Sequence, residues 1–318
     1  MNNNQIIIQK LTELLYHYKN DSKLKFKYIA INKALSYIKA YKYPIKSGKY
    51  AKEHIANIGD GIANRIDEII KTGTLKELPT EYNEDIIIAT NNLLKITGLG
   101  ESKIKKLINM GIINIDHYIK AVEEGKIKST HHIDIGIKYY DDFQKRIPRK
   151  EIEKMEIILK KELNILNPSL IFNICGSYRR GKDTCGDIDI LITNKDENDN
   201  IQYLPLYIKK LTKIAFLIDN LTVNGQKKYM GVCKIDKFAR RIDIRFVNYS
   251  AYYAALIYFT GSKNFNIHIR NKAIEKKYSL NEYGLKDKNT NNLICLHTEK
   301  EIFDLLGIDY CEPTERDI

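Results

Sequence analysis

The sequence contains few cysteines and no long apolar run, and it has fewer acidic residues than basic ones. Its five cysteines form no C-x-x-C pair, which argues against a zinc site and against a disulfide framework. No uninterrupted apolar stretch approaches the roughly 18 to 20 residues that cross a bilayer, and the N-terminus lacks the layout of a signal peptide. We therefore expect a soluble intracellular protein without a membrane partner. The choice between the nucleus and, for a viral protein, the cytoplasm or the virion stays open.

Basic residues outnumber acidic ones, 52 Lys and Arg against 40 Asp and Glu, which gives a formal net charge of +12. Such a chain favours a polyanionic partner, either nucleic acid or an acidic membrane. Ile, Asn, Lys and Tyr are abundant together, and their codons are rich in A and T, so mutational bias contributes part of the lysine excess. Charge alone therefore leaves the partner open.

The first half of the chain is predicted to be helical. Periodic apolar residues indicate helices over residues 1–83, the last of which ends at Gly73. A second helical block covers residues 84–147, and Pro148 ends it.

Beyond that proline the character of the sequence changes. Helices are predicted at 150–166 and near 203–218. Four segments of aliphatic or alternating character are predicted strands: "LIFNICGS", "DIDILIT", "KYMGVCKI" and "RRIDIRF". The chain is therefore expected to consist of helical modules followed by an α/β half.

Two segments of the helical region have the same form. "IANIGDGIANRI" and "ITGLGESKIKKL" each place a small residue and then a glycine, Gly59 or Gly100, just before a helix. Asn57 stands in the first copy where the second has Gly98, and asparagine tolerates positive φ better than most residues. This is the form of a helix-hairpin-helix, whose backbone N–H groups bind phosphate oxygens without reading bases. Two ordinary helix connections are the alternative; two copies on a basic chain favour binding to the DNA backbone.

Two predicted strands carry acids within apolar sequence. Asp187 and Asp189 lie two residues apart, so they share one face of a strand while Ile188 and Ile190 enter the core. Asp243 has the same setting in "RRIDIRF". If the two strands are neighbours, three carboxylates converge and raise each other's pKa. A divalent cation relieves that repulsion, and hard oxygen ligands select Mg²⁺ or Mn²⁺.

A second element precedes these acids. Gly176 and Ser177 end a predicted strand, and Arg179 and Arg180 follow. A small residue lets the backbone approach a phosphate, whose oxygens a hydroxyl and a guanidinium then bind. Such a turn beside three acids predicts two-metal nucleotidyl transfer, with the metals about 3.5–4 Å apart. The alternative is an exposed D-x-D pair with an unrelated Asp243.

The same segments resemble the family X DNA polymerases, in particular those of the beta type, over nearly the whole chain. The resemblance rests on "KYPIKSGKYAK", "ITGLGESK", "CGSYRRGKDTCGDIDILIT", "RRIDIR" and "YFTGSKNFNIHIRNKAIEK". It implies an α+β multidomain fold, with an all-α N-terminal helix-hairpin-helix domain and a polymerase region that contains an α/β nucleotidyltransferase palm. It also implies four parts: a lyase-like DNA-end-binding domain (1–83), a helical DNA-binding subdomain with the second hairpin (84–147), the palm (148–247) and a nucleotide-selection subdomain (248–318).

The resemblance implies roles for particular residues. Asp187 and Asp189 would bind both metals, and Asp243 would bind the metal that activates the primer 3′-OH. The implied nucleotide-binding residues are Arg146, Gly176, Ser177, Arg180, Gly186, Tyr258, Phe259, Gly261 and Asn266. The implied DNA-binding residues are Gly59, Gly98, Gly100, Lys228, Arg241 and Arg270. Two Mg²⁺ ions, replaceable by Mn²⁺, are the implied cofactors, and a monovalent cation at the hairpins is a further candidate.

One departure from the family concerns its lyase lysine. Aligning the helix after the first hairpin places Arg65 at that position. A guanidinium is not a nucleophile at neutral pH, whereas a lysine can be tuned to be one. Lys27 remains from the neighbouring phosphate pocket, so Lys27 and Arg65 mark the possible lyase pocket. We expect 5′-deoxyribose phosphate lyase activity to be lost or weak.

These features predict a DNA-directed DNA polymerase that fills short gaps during base excision repair. The expected partners are gapped or nicked DNA and a deoxynucleoside triphosphate, with a DNA ligase as a candidate protein partner and a monomeric chain. The segment between "KYMGVC" and "RRIDIR" is short, which leaves little room for a loop that replaces a template strand. The alternative is a template-independent or end-joining nucleotidyltransferase of the same superfamily.

Overall fold

The structure is a computed structural model that describes residues 3–18, 24–41, 43–78, 84–197, 199, 201–222 and 225–317. The chain forms two compact units, Met1–Glu84 and Asp85–Ile318. In the described residues the first unit is helical, and the second combines helices with a five-stranded sheet. The predicted α+β class with an all-α N-terminal part is confirmed. Within the described ranges, no helix has the length and apolar character needed to cross a membrane.

The described helices of the N-terminal unit are α1 (Asn3–Tyr18), α2 (Lys25–Ala40), α3 (Gly48–His54) and α4 (Asp60–Thr72). Apolar residues three or four positions apart enter one core, as Ile7, Leu11 and Leu14 do from α1. The predicted end of α4 is confirmed: Gly73 is left-handed at φ 74°, and its N–H donates to the Ile69 carbonyl at 2.8 Å.

Two helix-hairpin-helix turns have the same backbone path, one in each unit. In the first, Asn57 has φ 63°, and Gly59 precedes α4 at φ −89° and ψ 176°. The second joins α5 (Glu84–Leu94) to α6 (Glu101–Asn109). There Gly98 has φ 95°, and Gly100 has φ −92° and ψ 159°. The prediction that Asn57 takes the positive φ of Gly98 is therefore confirmed.

Three more helices complete this region: α7 (Ile115–Glu123), α8 (His131–Lys138) and α9 (Tyr140–Phe143). The sequence predicted that Pro148 ends the helical block, but the chain first forms a short strand. That strand, β1 (Ile147–Pro148), pairs antiparallel with β3 (Thr184–Cys185). Proline is accommodated because β1 lies at the edge of a two-stranded sheet.

The main sheet has five strands: β2 (Leu170–Ile174), β4 (Ile188–Asn194), β5 (Leu217–Asn220), β6 (Lys228–Cys233) and β7 (Arg240–Asn248). Their order is β2-β4-β7-β6-β5, and β4 and β7 run parallel at its centre. Helices cover both faces: α10 (Arg149–Leu166) and α12 (Tyr203–Lys213) on one, α13 (Tyr249–Thr260) on the other. Ile188 and Ile190 therefore enter one core and Leu191 the other.

Two segments differ from the sequence prediction. The first predicted strand ran through Ser177, but β2 ends at Ile174, and Gly176–Arg179 form a helical turn, α11. Gly176 has φ +56°, which glycine adopts without strain, so the chain turns there. The helix predicted near 203–218 ends at Lys213, because Leu217–Asn220 pairs with β6 as an edge strand. Periodicity alone does not separate such a short apolar run from a helix.

The last part of the chain comprises α13, α14 (Lys263–Glu275), the hairpin β8 (Tyr278–Asn281) and β9 (Gly284–Asp287), and α15 (Glu299–Leu306). Arg316 lies fully buried here, at 0% exposure, against the rings of Phe265 and Phe303. Its Nη1 is 2.9 Å from Glu299 Oε1, and Arg179 of α11 reaches the same carboxylate at 2.6 and 2.9 Å. The pairing neutralises charges that would otherwise be costly to bury.

The packing of α3 against α4 predicts the effect of one substitution. A Cβ at Gly48 would lie 2.0 Å from the Ala63 carbonyl oxygen. We expect Gly48→Ala to lower the free energy of unfolding of this unit by about 1–3 kcal/mol, because overpacking displaces the backbone. Gly61→Ala is the matched control, since its Cβ would meet the flexible end of Arg65 at 3.3 Å. Hydrogen exchange on the intact chain should show faster exchange of α3 and α4 amides in Gly48→Ala alone; equal protection would contradict the prediction.

Candidate active site

Three acids meet at the centre of the main sheet. Asp189 on β4 and Asp243 on β7 are direct partners in the parallel register. Neighbouring strands lie about 4.8 Å apart, so these two residues stand side by side. Asp187 comes just before β4, which begins at Ile188. The strand order is therefore what brings residues from two distant segments of the chain together.

The pKa values of these acids follow from burial and from one another. Burial first, and then the charges of Asp187 and Asp243, raise the pKa of Asp189 to about 7. Burial is also the main cause that raises the pKa of Asp243, with Arg241 opposing it and Asp187 reinforcing it. Among the described atoms, Oδ1 of Asp243 is buried and has no hydrogen-bond partner. An orphaned buried acceptor costs about 1–3 kcal/mol, so this oxygen suits a cation.

One guanidinium already engages the acids. Arg241 Nη2 donates to Asp187 Oδ2 at 3.0 Å. Across the described residues, no group of three or more His, Cys, Asp or Glu side chains is arranged to hold a metal ion as it stands. Arg241 therefore already neutralises part of the negative charge of Asp187. The sequence had not predicted this ion pair.

The turn formed by α11 lies directly against the acids. A Cβ at Gly176 would be 2.5 Å from Asp189 Oδ2, so this position needs glycine for space as well as for its positive φ. Ser177 follows within the turn. Arg180 stands at its end, and its Nη1 donates to the Thr260 carbonyl at 2.7 Å. The turn thus places a hydroxyl and a guanidinium near Asp189.

A cleft of ≈ 930 Å³ joins these elements. It is lined by every residue predicted to bind a nucleotide: Arg146, Gly176, Ser177, Arg180, Gly186, Tyr258, Phe259, Gly261 and Asn266. Asp187, Asp189 and Arg270 line it as well. The fold therefore brings these side chains into one place, and their individual roles stay predictions.

Hydrogen bonds and ring contacts orient the walls of the cleft. Arg146 donates to Thr184 Oγ1 at 3.2 Å and to the Thr184 carbonyl at 2.6 Å. Asn266 Nδ2 donates to the Tyr258 carbonyl at 2.7 Å. The guanidinium carbon of Arg270 lies 4.9 Å from the centroid of the Tyr258 ring, a cation–π contact. These contacts hold the cationic side chains at the cleft in defined positions.

Three residues around the cleft were missed from the sequence. Lys182 lines the cleft, Thr184 orients Arg146, and Asp317 contacts both Arg180 and Lys182. Lys182 had a signal, because it lies between the Gly-Ser-Arg turn and the D-x-D acids in "RRGKDTCGD". Asp317 had none, since only the fold brings it back to α11.

The predicted DNA-binding residues fall in separate places. Gly59 belongs to the N-terminal unit, and a Cβ there would meet no described atom within 4 Å. In the second unit Gly98 and Arg241 line a further cleft of ≈ 560 Å³ together with His132. Burial, and then the charges of Arg241 and Lys228, lower the pKa of His132, which the sequence reasoning had not assigned a role. Lys228 is exposed on β6.

Arg65 of the possible lyase pocket is a fixed cation. Its Nη2 is 2.9 Å from both carboxylate oxygens of Glu77, and its Nη1 donates to the Gly61 carbonyl at 2.8 Å. Burial, the largest single cause, opposes the charge of Arg65, but the hydrogen bonds and charges of Glu77 and Tyr18 together outweigh it and raise the pKa. Lys27 is exposed, with its Nζ 5.9 Å from the centroid of the Tyr18 ring.

Sequence models of three known domains match the chain. Residues 2–75 match a helix-hairpin-helix domain, residues 146–249 the DNA polymerase beta palm, and residues 255–317 the DNA polymerase beta thumb. The palm match contains the three acids and the turn at Gly176–Arg179. The fold and the site together identify the chain as a polymerase of the beta type.

Similarity to curated relatives identifies the family of the chain. DNA polymerase lambda of Rattus norvegicus is 33% identical over 335 aligned residues, which cover 99% of this chain and 56% of the relative. DNA polymerase lambda of Arabidopsis thaliana is 30% identical, with coverage of 96% and 60%. DNA nucleotidylexotransferase of Xenopus laevis is 27% identical, with coverage of 91% and 63%. The chain thus spans less than two thirds of the length of these relatives. It belongs to the family X DNA polymerases, as the resemblance implied.

The buried acids predict how stability depends on pH in a metal-free buffer. Folded Asp189 keeps its proton up to its raised pKa of about 7, whereas an unfolded aspartate releases its proton near the ordinary pKa of 3.8. Between these values the folded chain binds more protons, so stability falls as pH rises. We expect Asp189→Asn to raise the melting temperature more at pH 7.5 than at pH 4.5, because Asn cannot ionise. Exposed Asp309→Asn is the control; an equal gain at both pH values would count against the raised pKa.

Proposed function

We propose that this chain is a DNA-directed DNA polymerase that fills short gaps during base excision repair. It would transfer a deoxynucleotide to a primer 3′-OH and release pyrophosphate. The observation that supports this most is the register of Asp189 and Asp243 beside the Gly176 turn, at a cleft lined by basic side chains. Family membership agrees with it.

Asp187, Asp189 and Asp243 are proposed to hold two Mg²⁺ ions, or Mn²⁺ in their place. The orphaned Oδ1 of Asp243 and the raised pKa values of the buried acids fit this role, because a divalent cation relieves both. When bound, such a pair of ions stabilises the attacking and leaving oxygens of nucleotidyl transfer. The Asp243 carboxylate would accept the proton of the 3′-OH, since burial makes it a stronger base than an exposed aspartate.

The remaining residues of the cleft are proposed to position the nucleotide. Arg146, Ser177 and Arg180 would bind the oxygens of the β- and γ-phosphates, with Gly186 leaving room for them. Tyr258, Phe259 and Gly261 would line the sugar pocket. Asn266 and Arg270 would lie along the new base pair, where the contact of Arg270 with the Tyr258 ring keeps the guanidinium in the cleft.

DNA would be gripped through its backbone. At Gly59 and Gly100 a Cβ would meet no described atom within 4 Å, so these two turns would present backbone N–H groups to phosphate oxygens without reading sequence. Gly98 would supply the positive φ of the second turn. Lys228 and Arg241 would add positive charge near the primer terminus. A monovalent cation at either turn stays a prediction, and closing the filled strand would require a DNA ligase.

Four parts are proposed for the chain on this basis. They are a DNA-end-binding domain (1–83), a helical DNA-binding subdomain (84–147), the palm (148–247) and a nucleotide-selection subdomain (248–318). Each of the first two would contain one hairpin. Two hairpins could then hold backbone on either side of a gap, which favours gapped DNA as the substrate.

Template-independent addition is the second candidate function. The relative from Xenopus laevis named DNA nucleotidylexotransferase favours it. The connection between β6 and β7, residues 234–239, is short and argues against it, because a loop that stands in for a template strand needs more chain. Gap filling therefore remains the function that we propose.

Primer extension tests this choice. On a duplex with a one-nucleotide gap and Mg²⁺, the wild-type chain should incorporate the templated nucleotide, and it should extend single-stranded DNA poorly. Asp243→Ala should reduce incorporation at least about a hundredfold, since it removes a metal-binding acid, while DNA binding measured by fluorescence anisotropy stays within twofold of wild type. Efficient untemplated extension would favour the second candidate, and full activity in Asp243→Ala would exclude the assigned role.

Lyase activity is expected to be lost or weak. The Arg65 guanidinium cannot form a Schiff base, and its ion pair with Glu77 fixes its charge further. Borohydride should therefore fail to trap the chain on DNA that carries an incised abasic site. Efficient trapping that Lys27→Ala abolishes would show that another lysine has taken the role.

A further inference from the structure

The carboxylate of Asp317 forms ion pairs with two cationic side chains at the cleft. Its Oδ1 accepts a hydrogen bond from Arg180 Nε at 2.7 Å, and its Oδ2 lies 2.5 Å from Lys182 Nζ. Arg180 and Lys182 both line the cleft of ≈ 930 Å³. An acid from the end of the thumb region therefore neutralises charge at the place where the triphosphate is proposed to bind.

Asp317 is held in this position by its neighbour in sequence. The side chain of Arg316 is fully buried and paired with Glu299, and its carbonyl accepts the Ser262 N–H at 3.1 Å. The backbone one residue before Asp317 is therefore anchored on both sides. Burial tends to raise the pKa of Asp317, but its two cationic partners outweigh burial and lower it, so the carboxylate is ionised at neutral pH.

We propose that Lys182 is a further ligand for the terminal phosphate of a nucleoside triphosphate, and that Asp317 is an internal counter-anion that this phosphate displaces. The inference rests on the proposed function. Lys182 follows Arg180 by two residues and lines the same cleft, so one phosphate group can reach both cations. A terminal phosphate carries more negative charge and offers more acceptor oxygens than a carboxylate, so it displaces the Asp317 carboxylate from the two cations.

The exchange sets how tightly the nucleotide binds. In the free chain Arg180 and Lys182 are already partly neutralised, and an incoming triphosphate breaks two ion pairs before it forms its own. These pairs are partly exposed, since the side chains of Arg180, Lys182 and Asp317 are 16%, 49% and 27% accessible. Asp317 therefore lowers affinity for the polyphosphate chain without touching the three catalytic acids.

Two measurements on the full chain test the proposal. Isothermal titration with sodium tripolyphosphate and Mg²⁺ measures polyphosphate binding without DNA, and single-nucleotide gap filling gives KM and kcat for dATP. Asp317→Asn should lower the tripolyphosphate dissociation constant and the KM up to about fivefold, as expected for partly exposed ion pairs, with kcat unchanged. Lys182→Met should raise both by a similar factor, and Asp317→Asn should have a smaller effect in that background.

Matched controls carry the same charge changes elsewhere. Asp309→Asn and Lys300→Met alter exposed residues of the same region and should leave both constants unchanged. Unchanged or weaker tripolyphosphate binding in a folded Asp317→Asn variant would overturn the proposal. If that variant does not fold, Lys182→Met decides, because unchanged affinity there would overturn it as well.

The two proposals fail separately. Altered tripolyphosphate affinity in a chain that incorporates no nucleotide would count against the polymerase function and support the role of Lys182. Efficient gap filling by the wild-type chain, with unaltered tripolyphosphate affinity in both variants, would support the polymerase function and count against the role of Lys182.

Discussion

Two carboxylates buried side by side on parallel strands are the constraint on which the rest of the site depends. A fold selected for stability alone would not place Asp189 and Asp243 in direct register, because each raises the cost of ionising the other. The sheet accepts this cost because the residues between and around the acids, such as Ile188, Ile190 and Ile242, are fully buried on the opposite side. Burial of the apolar face therefore offsets the free energy that the neighbouring acids cost. Arg241 compensates part of the repulsion, and cations are proposed to compensate the rest.

Local patterns predicted the parts of this site that depend on local geometry. The alternation around Asp187 and Asp189 indicated a strand with two acids on one face, and the echo between Asn57 and Gly98 indicated two hairpins with the same positive φ. Local patterns failed where a partner distant in sequence determines the structure. Leu217–Asn220 becomes a strand because β6 is available to pair with it. The ion pairs of Asp187 with Arg241 and of Asp317 with Arg180 join residues far apart in sequence, so no local pattern predicts them.

The chain separates its chemistry between two compact units. The three acids, the turn at Gly176–Arg179 and the cleft all lie in Asp85–Ile318, whereas Arg65 and Lys27 lie in Met1–Glu84. The Arg65–Glu77 ion pair is made within the N-terminal unit and uses none of the residues of the cleft. A substitution at Arg65 therefore alters no residue that lines the cleft of the other unit.

The contact between Gly176 and Asp189 has a consequence for how this sequence can diverge. A Cβ at position 176 would lie 2.5 Å from Asp189 Oδ2, so a larger residue there would push that carboxylate away from its present position. A mutation at either position is thus not rescued by one at the other, because the acid cannot be shortened and the glycine cannot be enlarged. The sizes of the residues at positions 176 and 189 are therefore coupled.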